Sequence, residues 1–140
     1  MNTPAALWTG RILSGAFALF ILGASVTPKL LHMPIAEEIM AELGWPAGYA
    51  FMIGILELTL VVLYLIPRTS VLGAVLMMGL LGGAMATQIR AGSPLFSHIL
   101  FSIYLGLFMW GGLWLRNAQL RALFPIAQST SGAVKPSSAG

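Results

Sequence analysis

Four long apolar stretches, each close to twenty residues and nearly free of charge, constrain this chain more than any other feature. They predict helices over about 7–27, 47–66, 70–88 and 95–115. About 20 apolar residues span a bilayer core as a helix, and in lipid a helix pairs its own backbone groups. The sequence therefore predicts an all-α integral membrane four-helix bundle that occupies residues 1–125.

The composition agrees with this prediction and excludes several kinds of site. Hydrophobic residues make up 58 % of the 140 and charged residues only 8 %, whereas soluble domains carry about 25 % charged residues. The chain has no cysteine, so disulfides, thiol redox chemistry and Cys-based metal sites are excluded, and no metal site is expected. The seven Lys and Arg residues form no basic cluster, and we therefore expect no nucleic-acid partner.

The links between the apolar stretches predict how the helices run. Residues 67–69 alone separate the second stretch from the third, and residues 91–94 separate the third from the fourth. Links this short join antiparallel neighbours, which predicts an up-down-up-down bundle. Five positive charges then share the side of the two termini, namely Arg11, Arg68, Arg116, Arg121 and Lys135. Only Lys29 and Arg90 lie on the other side, so the positive-inside rule predicts that both termini are cytoplasmic.

Three segments, one of them inside the first predicted span, carry expectations of their own. Arg11, the apolar run 12–22 and the small residues 23–25 also resemble a signal peptide, whose cleavage would leave three helices. The connector 29–44 mixes apolar residues at four-residue spacing with three Glu residues. It is either a short amphipathic helix that lids the bundle or a solvated connector. The tail 126–140 is mostly small or polar and is expected to be disordered.

Glu57 is the strongest single signal for function. It is the eleventh residue of the stretch 47–66 and therefore lies close to the bilayer midplane. A bare carboxylate there costs on the order of 2.5–3.5 kcal/mol, so it must be protonated, paired or wetted. It either binds a ligand or handles a proton, or it makes a structural hydrogen bond to a neighbouring helix. Ala50, Gly54 and Tyr64 share its helix face, which we expect to point into the bundle.

Further polar residues are predicted to converge above Glu57 at the outer ends of the other helices. Lys29 ends the first helix, where it either snorkels to the surface or leans toward Glu57 through a bridging water. The predicted ligand-binding residues are Glu57, Lys29, Gln88, His98, Tyr64 and Arg90. A pair of glycines four residues apart, Gly79 and Gly83, permits a close helix contact within the chain or between two copies.

Short motifs in a fixed order resemble those of a known family. They are Leu43-Gly44-Trp45-Pro46, Gly54-Ile55-Leu56-Glu57-Leu58, Leu65-Ile66-Pro67-Arg68, Thr87-Gln88-Ile89-Arg90 and Gly112-Leu113-Trp114-Leu115-Arg116. From Ile12 to Leu123 the chain resembles the DoxX-like family of small bacterial four-helix membrane proteins. The resemblance implies a multi-pass protein of the bacterial inner membrane. It implies little about activity, because some relatives are linked with quinone-coupled sulfur oxidation or membrane redox complexes and many have no assigned role. Relatives often carry His at the position of Gln88, so a proton or metal role does not transfer there.

Two functions remain open from the sequence. The first is an accessory or ligand-binding subunit that holds a quinone or another lipophilic small molecule in an intramembrane polar pocket. Its partners would be the lipid bilayer and a membrane redox protein or a second copy of the chain. The aromatic residues Phe51, Phe101, Tyr104 and Phe108 would line the tail of that ligand. The alternative is a small membrane enzyme that isomerises or ring-opens a lipophilic substrate by acid–base chemistry, with Glu57 and His98 as catalytic groups.

Overall fold

The computed structural model describes residues 3–127, and all regular secondary structure in that range is helical. It contains six helices, which are α1 (Pro4–Leu30), α2 (Pro34–Glu42), α3 (Tyr49–Leu65), α4 (Ser70–Arg90), α5 (Leu95–Arg116) and α6 (Ala118–Leu123). The four predicted helices correspond to α1, α3, α4 and α5. The tail 126–140, predicted to be disordered, lies outside the described residues except for its first two positions.

Three of these helices are long and apolar enough to cross a membrane, namely α1, α4 and α5. Helix α3 is also apolar but has 17 residues, which is about 26 Å at 1.5 Å per residue. Large apolar side chains remain exposed along the helices, for example Leu19 at 73 % and Leu107 at 66 %. A surface so rich in apolar groups fits lipid rather than water, as expected for a membrane protein.

Helix α1 is longer than predicted because Pro28 does not end it. Thr3 caps its first turn by accepting a hydrogen bond from the backbone of Ala6. Residues Ile21–Val26 form a π-helical stretch, in which the N–H of Thr27 bonds to the carbonyl of Leu22, five residues back. Such a bulge changes the helix register just before the proline, which has no N–H to donate. The helix continues to Leu30 and keeps Lys29 on a helical turn.

Glycines mark the places where the helices approach most closely. A Cβ on Gly112 of α5 would lie 2.8 Å from the backbone nitrogen of Ser14 in α1. A Cβ on Gly73 of α4 would overlap the backbone nitrogen of Tyr64 in α3. A Cβ on Gly54 of α3 would lie 2.9 Å from the Cβ of Lys29 in α1. These contacts bring α1 against α5 and α3, and α4 against α3.

The most deeply buried side chains and the open space lie toward different ends of the helices, and Met77 borders both. The largest fully buried side chains include Phe17, Tyr64, Met77, Met109 and Leu113. They lie in the part of the helices toward the N-terminus of α1 and the C-terminus of α5, which we call the terminal end. The connector end holds Lys29, α2 and the α4–α5 link. Its looser packing is what leaves room for a site.

Candidate functional site

A cavity of about 700 Å³ lies at the connector end, with walls from α1 to α5. Its lining is mostly apolar. Its main polar groups come from four helices and are Ser25, Lys29, Glu57, Thr87, Gln88, His98 and Ser102. Ligand sites are commonly of about this size, apolar with a few convergent polar groups.

An ion pair lies in the wall of this cavity. Lys29 Nζ is 2.8 Å from Glu57 Oε1 and donates a second hydrogen bond to Ser25 Oγ at 2.7 Å. Ser25 Oγ in turn donates to Glu57 Oε2 at 2.9 Å. The side chains of Lys29 and Glu57 are 16 % and 11 % exposed. We call Ser25, Lys29 and Glu57 the cavity cluster.

The direct contact corrects the prediction that a water bridges Lys29 and Glu57. Two features of the chain bring the groups together. The π-helical stretch before Pro28 keeps Lys29 within α1. Gly54, one turn before Glu57, lets the end of α1 approach α3. Lys29 therefore leans inward toward Glu57 and does not snorkel to the surface. The ion pair offsets the free-energy cost of holding the Glu57 carboxylate away from water.

Ser25 was not among the site residues that the sequence predicted. It stands in the stretch Gly23-Ala24-Ser25, which resembles a signal-peptide cleavage site. The signal that points to it is its spacing, since Ser25 precedes Lys29 by four residues on one helix face. Its hydroxyl links the ammonium and carboxylate of the ion pair.

Gln88 and His98 line the same cavity as the ion pair, as predicted. Gln88 Oε1 is buried, and no hydrogen-bond partner for it exists among residues 3–127. His98 is exposed, and its Nδ1 lies 2.7 Å from the hydroxyl of the neighbouring Ser97. Gln88 therefore lines the cavity with an amide whose oxygen is buried and unpaired, whereas one nitrogen of His98 is already engaged.

Tyr64 and Arg90 are not in the lining of the cavity. The Tyr64 hydroxyl lies at the terminal end, donates to the carbonyl of Met109 at 2.7 Å and is 2.8 Å from Ser14 Oγ. Seven residues separate Tyr64 from Glu57, which is a rise of about 10 Å along α3. Arg90 is exposed, and its Nη2 donates to the carbonyl of Leu43 at 2.7 Å. The geometry does not bring either residue to the cavity cluster.

Helix α2 covers one side of the cavity. Its residues Ala36 and Met40 are buried and line the cavity, while Glu38 and Glu42 are exposed. The connector is therefore an amphipathic helix, and the alternative of a solvated connector is wrong. Gly79 and Gly83 line the cavity too, and a Cβ on either would meet nothing within 4 Å. Their spacing thus leaves open space here instead of a helix contact within the described chain.

A second and smaller space of about 260 Å³ adjoins the cavity. The two share Phe20, Phe101 and Leu105 in their walls. The rings of Phe20 and Phe101 meet edge to face with centroids 5.4 Å apart. Tyr104 and Phe108, two of the residues proposed from the sequence to line a ligand tail, also line this space. The fourth predicted tail residue, Phe51, lies elsewhere and stacks on His32 at 4.9 Å.

Comparison with known proteins identifies the family. A sequence profile of the DoxX-like family matches residues 12–112. This range contains the cavity cluster, Gln88 and His98. The comparisons with curated proteins and with solved structures give no match. With the profile match covering most of its length, the chain belongs to the DoxX-like family.

Proposed function

We propose that this membrane protein binds a lipophilic small molecule, with the polar head of the molecule at the cavity cluster. The observation that carries the proposal is an ion pair exposed to a largely apolar cavity of about 700 Å³. An ion pair that served structure alone would be most stable with its remaining hydrogen-bonding groups satisfied by the protein. Here they face open space.

The hydrogen bonds of the cavity cluster leave a donor for a ligand. A lysine ammonium has three donors. Those of Lys29 go to Ser25 Oγ and Glu57 Oε1, and the third has no partner in the described part of the chain. A ligand carbonyl or hydroxyl oxygen would accept from it. Glu57 keeps unused acceptor sites on its oxygens, so the cluster suits a head that both accepts and donates.

The adjoining aromatic space suits an apolar tail. It contains no charged residue in its lining, and Phe20, Phe101 and Leu105 form a wall that it shares with the cavity. A ligand whose head sits at Glu57 would extend its tail past these three side chains toward Tyr104 and Phe108. A quinone meets part of these requirements, because its ring carbonyls can accept from Lys29 and it has a flat apolar ring and an apolar tail. Its reduced form, the hydroquinone, also carries the hydroxyl donors.

The membrane arrangement that we propose is an up-down-up-down four-helix bundle of α1, α3, α4 and α5 in the bacterial inner membrane. The contacts at Gly112, Gly73 and Gly54 support it, because they connect α5 to α1, α4 to α3 and α3 to α1. Arg11, Arg68, Arg116 and Arg121 belong to the terminal end. The positive-inside rule assigns that end to the cytoplasm. The cavity would then lie in the outer half of the membrane.

The second candidate function is an enzyme that performs acid–base chemistry on a lipophilic substrate. The observation that favours it is the position of the Glu57 carboxylate in the cavity wall, next to an ammonium donor. A carboxylate so placed can take a proton from a carbon beside a carbonyl while the ammonium stabilises the developing oxyanion. Isomerisation or ring opening would follow. Product formed by the purified protein would distinguish this function from binding alone.

The test is equilibrium binding of a radiolabelled short-chain alkyl benzoquinone to the full chain in lipid nanodiscs. We expect saturable binding that weakens at least about tenfold in Glu57→Gln. Loss of the carboxylate releases the Lys29 ammonium from its position in the ion pair, and a hydrogen bond from that ammonium to a quinone carbonyl contributes about 1.5–3 kcal/mol. The matched control is Glu42→Gln on the exposed face of α2, which should bind as the wild type does. Equal affinity of wild type and Glu57→Gln, with both folded, would contradict the proposal.

A further inference from the structure

We infer that Gln88 reads a hydrogen-bond donor on the ligand, so that the cavity prefers a head carrying a hydroxyl or N–H over a head with acceptors alone. This inference rests on the proposed function and deepens it. It starts from the one buried side-chain polar atom without a partner in the part of the chain that the structure describes, which is Gln88 Oε1. Buried polar atoms are nearly always paired, so an orphan of this kind calls for an explanation.

The position of Gln88 connects its unpaired atom to the cavity. Gln88 lies in the last turn of α4 and lines the same space as Lys29 and Glu57. The residues on its own helix face, Met77, Leu81 and Ala84, are apolar and offer no side-chain donor. The terminal amide of a glutamine turns about a broad torsion. A donor held in the cavity can therefore meet the amide oxygen.

The charged residues in the cavity lining further limit the chemical class of the ligand's polar head. Lys29 and Glu57 are the fully charged residues in its lining, and they cancel as an ion pair. An anionic or cationic head would enter an apolar space without a free counter-charge, which is unfavourable. The ligand head is therefore uncharged. It offers an acceptor to Lys29 and a donor to Gln88, as phenols, hydroquinones and hydroxyketones do.

The probes that test this are 4-hexylphenol and 4-hexylanisole, which differ by one methyl group on the oxygen. Both keep the acceptor and the apolar tail, and only the phenol has the donor. We expect the wild-type protein in nanodiscs to bind the phenol about 3- to 10-fold more tightly than the anisole, because the phenol makes one additional hydrogen bond. The extra methyl group of the anisole affects binding in every variant alike. We therefore compare the phenol-to-anisole affinity ratio between the wild type and the variants.

The informative variants are Gln88→Met and Gln88→Glu. Gln88→Met keeps the length of the side chain and removes the acceptor, so the phenol-to-anisole ratio should fall toward one while the affinity for the anisole stays within about twofold. Gln88→Glu keeps an acceptor and should retain the preference. Circular dichroism and anisole binding report that each variant is folded.

The outcomes separate this inference from the proposed function. Equal wild-type binding of both probes, or a preference that Gln88→Met leaves unchanged, overturns the role of Gln88 while leaving lipophilic binding intact. Absence of saturable binding for both probes overturns the proposed function and the inference together. If Gln88→Met does not fold, Gln88→Leu, which also lacks the acceptor, provides the same comparison.

Discussion

Two polar clusters are buried between the helices, and they differ in what surrounds them. The cavity cluster of Ser25, Lys29 and Glu57 lies in the wall of a cavity at the connector end. The other, which we call the packed cluster, consists of Ser14, Tyr64 and Arg116 at the terminal end. Both use a serine of α1 and a residue on the buried face of α3.

Each group of the packed cluster has its partner within the protein. Arg116 Nε donates to Ser14 Oγ at 3.1 Å, Ser14 Oγ is 2.8 Å from the Tyr64 hydroxyl, and that hydroxyl donates to the carbonyl of Met109. The ring of Tyr64 is fully buried, and the guanidinium of Arg116 lies 5.5 Å from its centroid. A chain of bonds closed in this way fixes α1, α3 and α5 together.

The difference teaches how to interpret a polar residue inside a membrane helix. Glu57 and Tyr64 lie on one face of α3, and both are buried. Tyr64 has a complete set of partners and lines neither of the two cavities described above, which fits a structural role. Glu57 and Lys29 have unused hydrogen-bonding capacity beside a cavity, and this is the reason for proposing a ligand there. Burial alone does not distinguish the two roles, and the space next to the polar group does.

The largest difference between the two ends is expected in stability, when one glycine at each end is replaced by alanine. A Cβ on Gly112 would lie 2.8 Å from the nitrogen of Ser14 and 2.9 Å from the carbonyl oxygen of Gly10. Because these are backbone atoms, Gly112→Ala should lower the free energy of unfolding by about 2–3 kcal/mol. The measurement is reversible unfolding in detergent, followed by circular dichroism.

Gly83 provides the matched control for that substitution. It lines the cavity, and a Cβ there would meet nothing within 4 Å. Gly83→Ala should leave stability unchanged or raise it by up to about 1 kcal/mol, because alanine is the better helix former. Equal losses at Gly112 and Gly83 would show that the two ends are packed alike, against the comparison drawn here.

Tyr64→Phe should give an effect of intermediate size. It should lower stability and leave ligand affinity unchanged, whereas Glu57→Gln should weaken ligand affinity. Loss of the hydroxyl removes the bonds to Met109 and Ser14, which should lower the free energy of unfolding by about 1–2 kcal/mol. The affinity for the alkyl benzoquinone should not change, since Tyr64 is remote from the cavity. A tenfold loss of binding in folded Tyr64→Phe would instead support its predicted place among the ligand-binding residues.

The smallest effect is expected at the mouth of the cavity. Arg90 Nη2 donates to the carbonyl of Leu43, just after α2. Arg90→Met should speed amide hydrogen exchange in Pro34–Glu42 about fivefold, as loss of about 1 kcal/mol of local stability would do, while global unfolding stays unchanged. Arg68→Met, in the link between α3 and α4 at the other end, is the control and should leave exchange in α2 as it was.

Much of the fold follows from the sequence, because lipid limits the chain to helices whose length is set by the membrane. The stripe of Ala50, Gly54 and Glu57 on α3 was predicted to face inward, and all three residues are buried. The π-helical stretch of α1, Ile21–Val26, was not predicted. Pro28 normally disfavours a continuing helix, and the π-helical stretch that accommodates it depends on packing that a local pattern does not encode.

The site was predicted in part for a similar reason. Glu57, Lys29, Gln88 and His98 were found because charged and polar groups are conspicuous in apolar helices, and all four line one cavity. In the packed cluster, Ser14 bonds to Tyr64, which lies 50 positions later in the chain, and to Arg116, which lies 102 positions later. No periodicity in the sequence relates positions so far apart. Tyr64 was therefore placed with Glu57 by its helix face, although its partners lie at the other end.

The claim at the centre of this account is that Glu57 and Lys29 form an ion pair in order to hold a ligand. Its most direct test is mass spectrometry of lipophilic molecules that copurify with the wild-type chain, Glu57→Gln and Tyr64→Phe from native membranes. We expect a neutral, tail-bearing molecule in stoichiometric amounts with the wild type and Tyr64→Phe, and a strong depletion in Glu57→Gln. The same molecule retained equally by folded Glu57→Gln would contradict it.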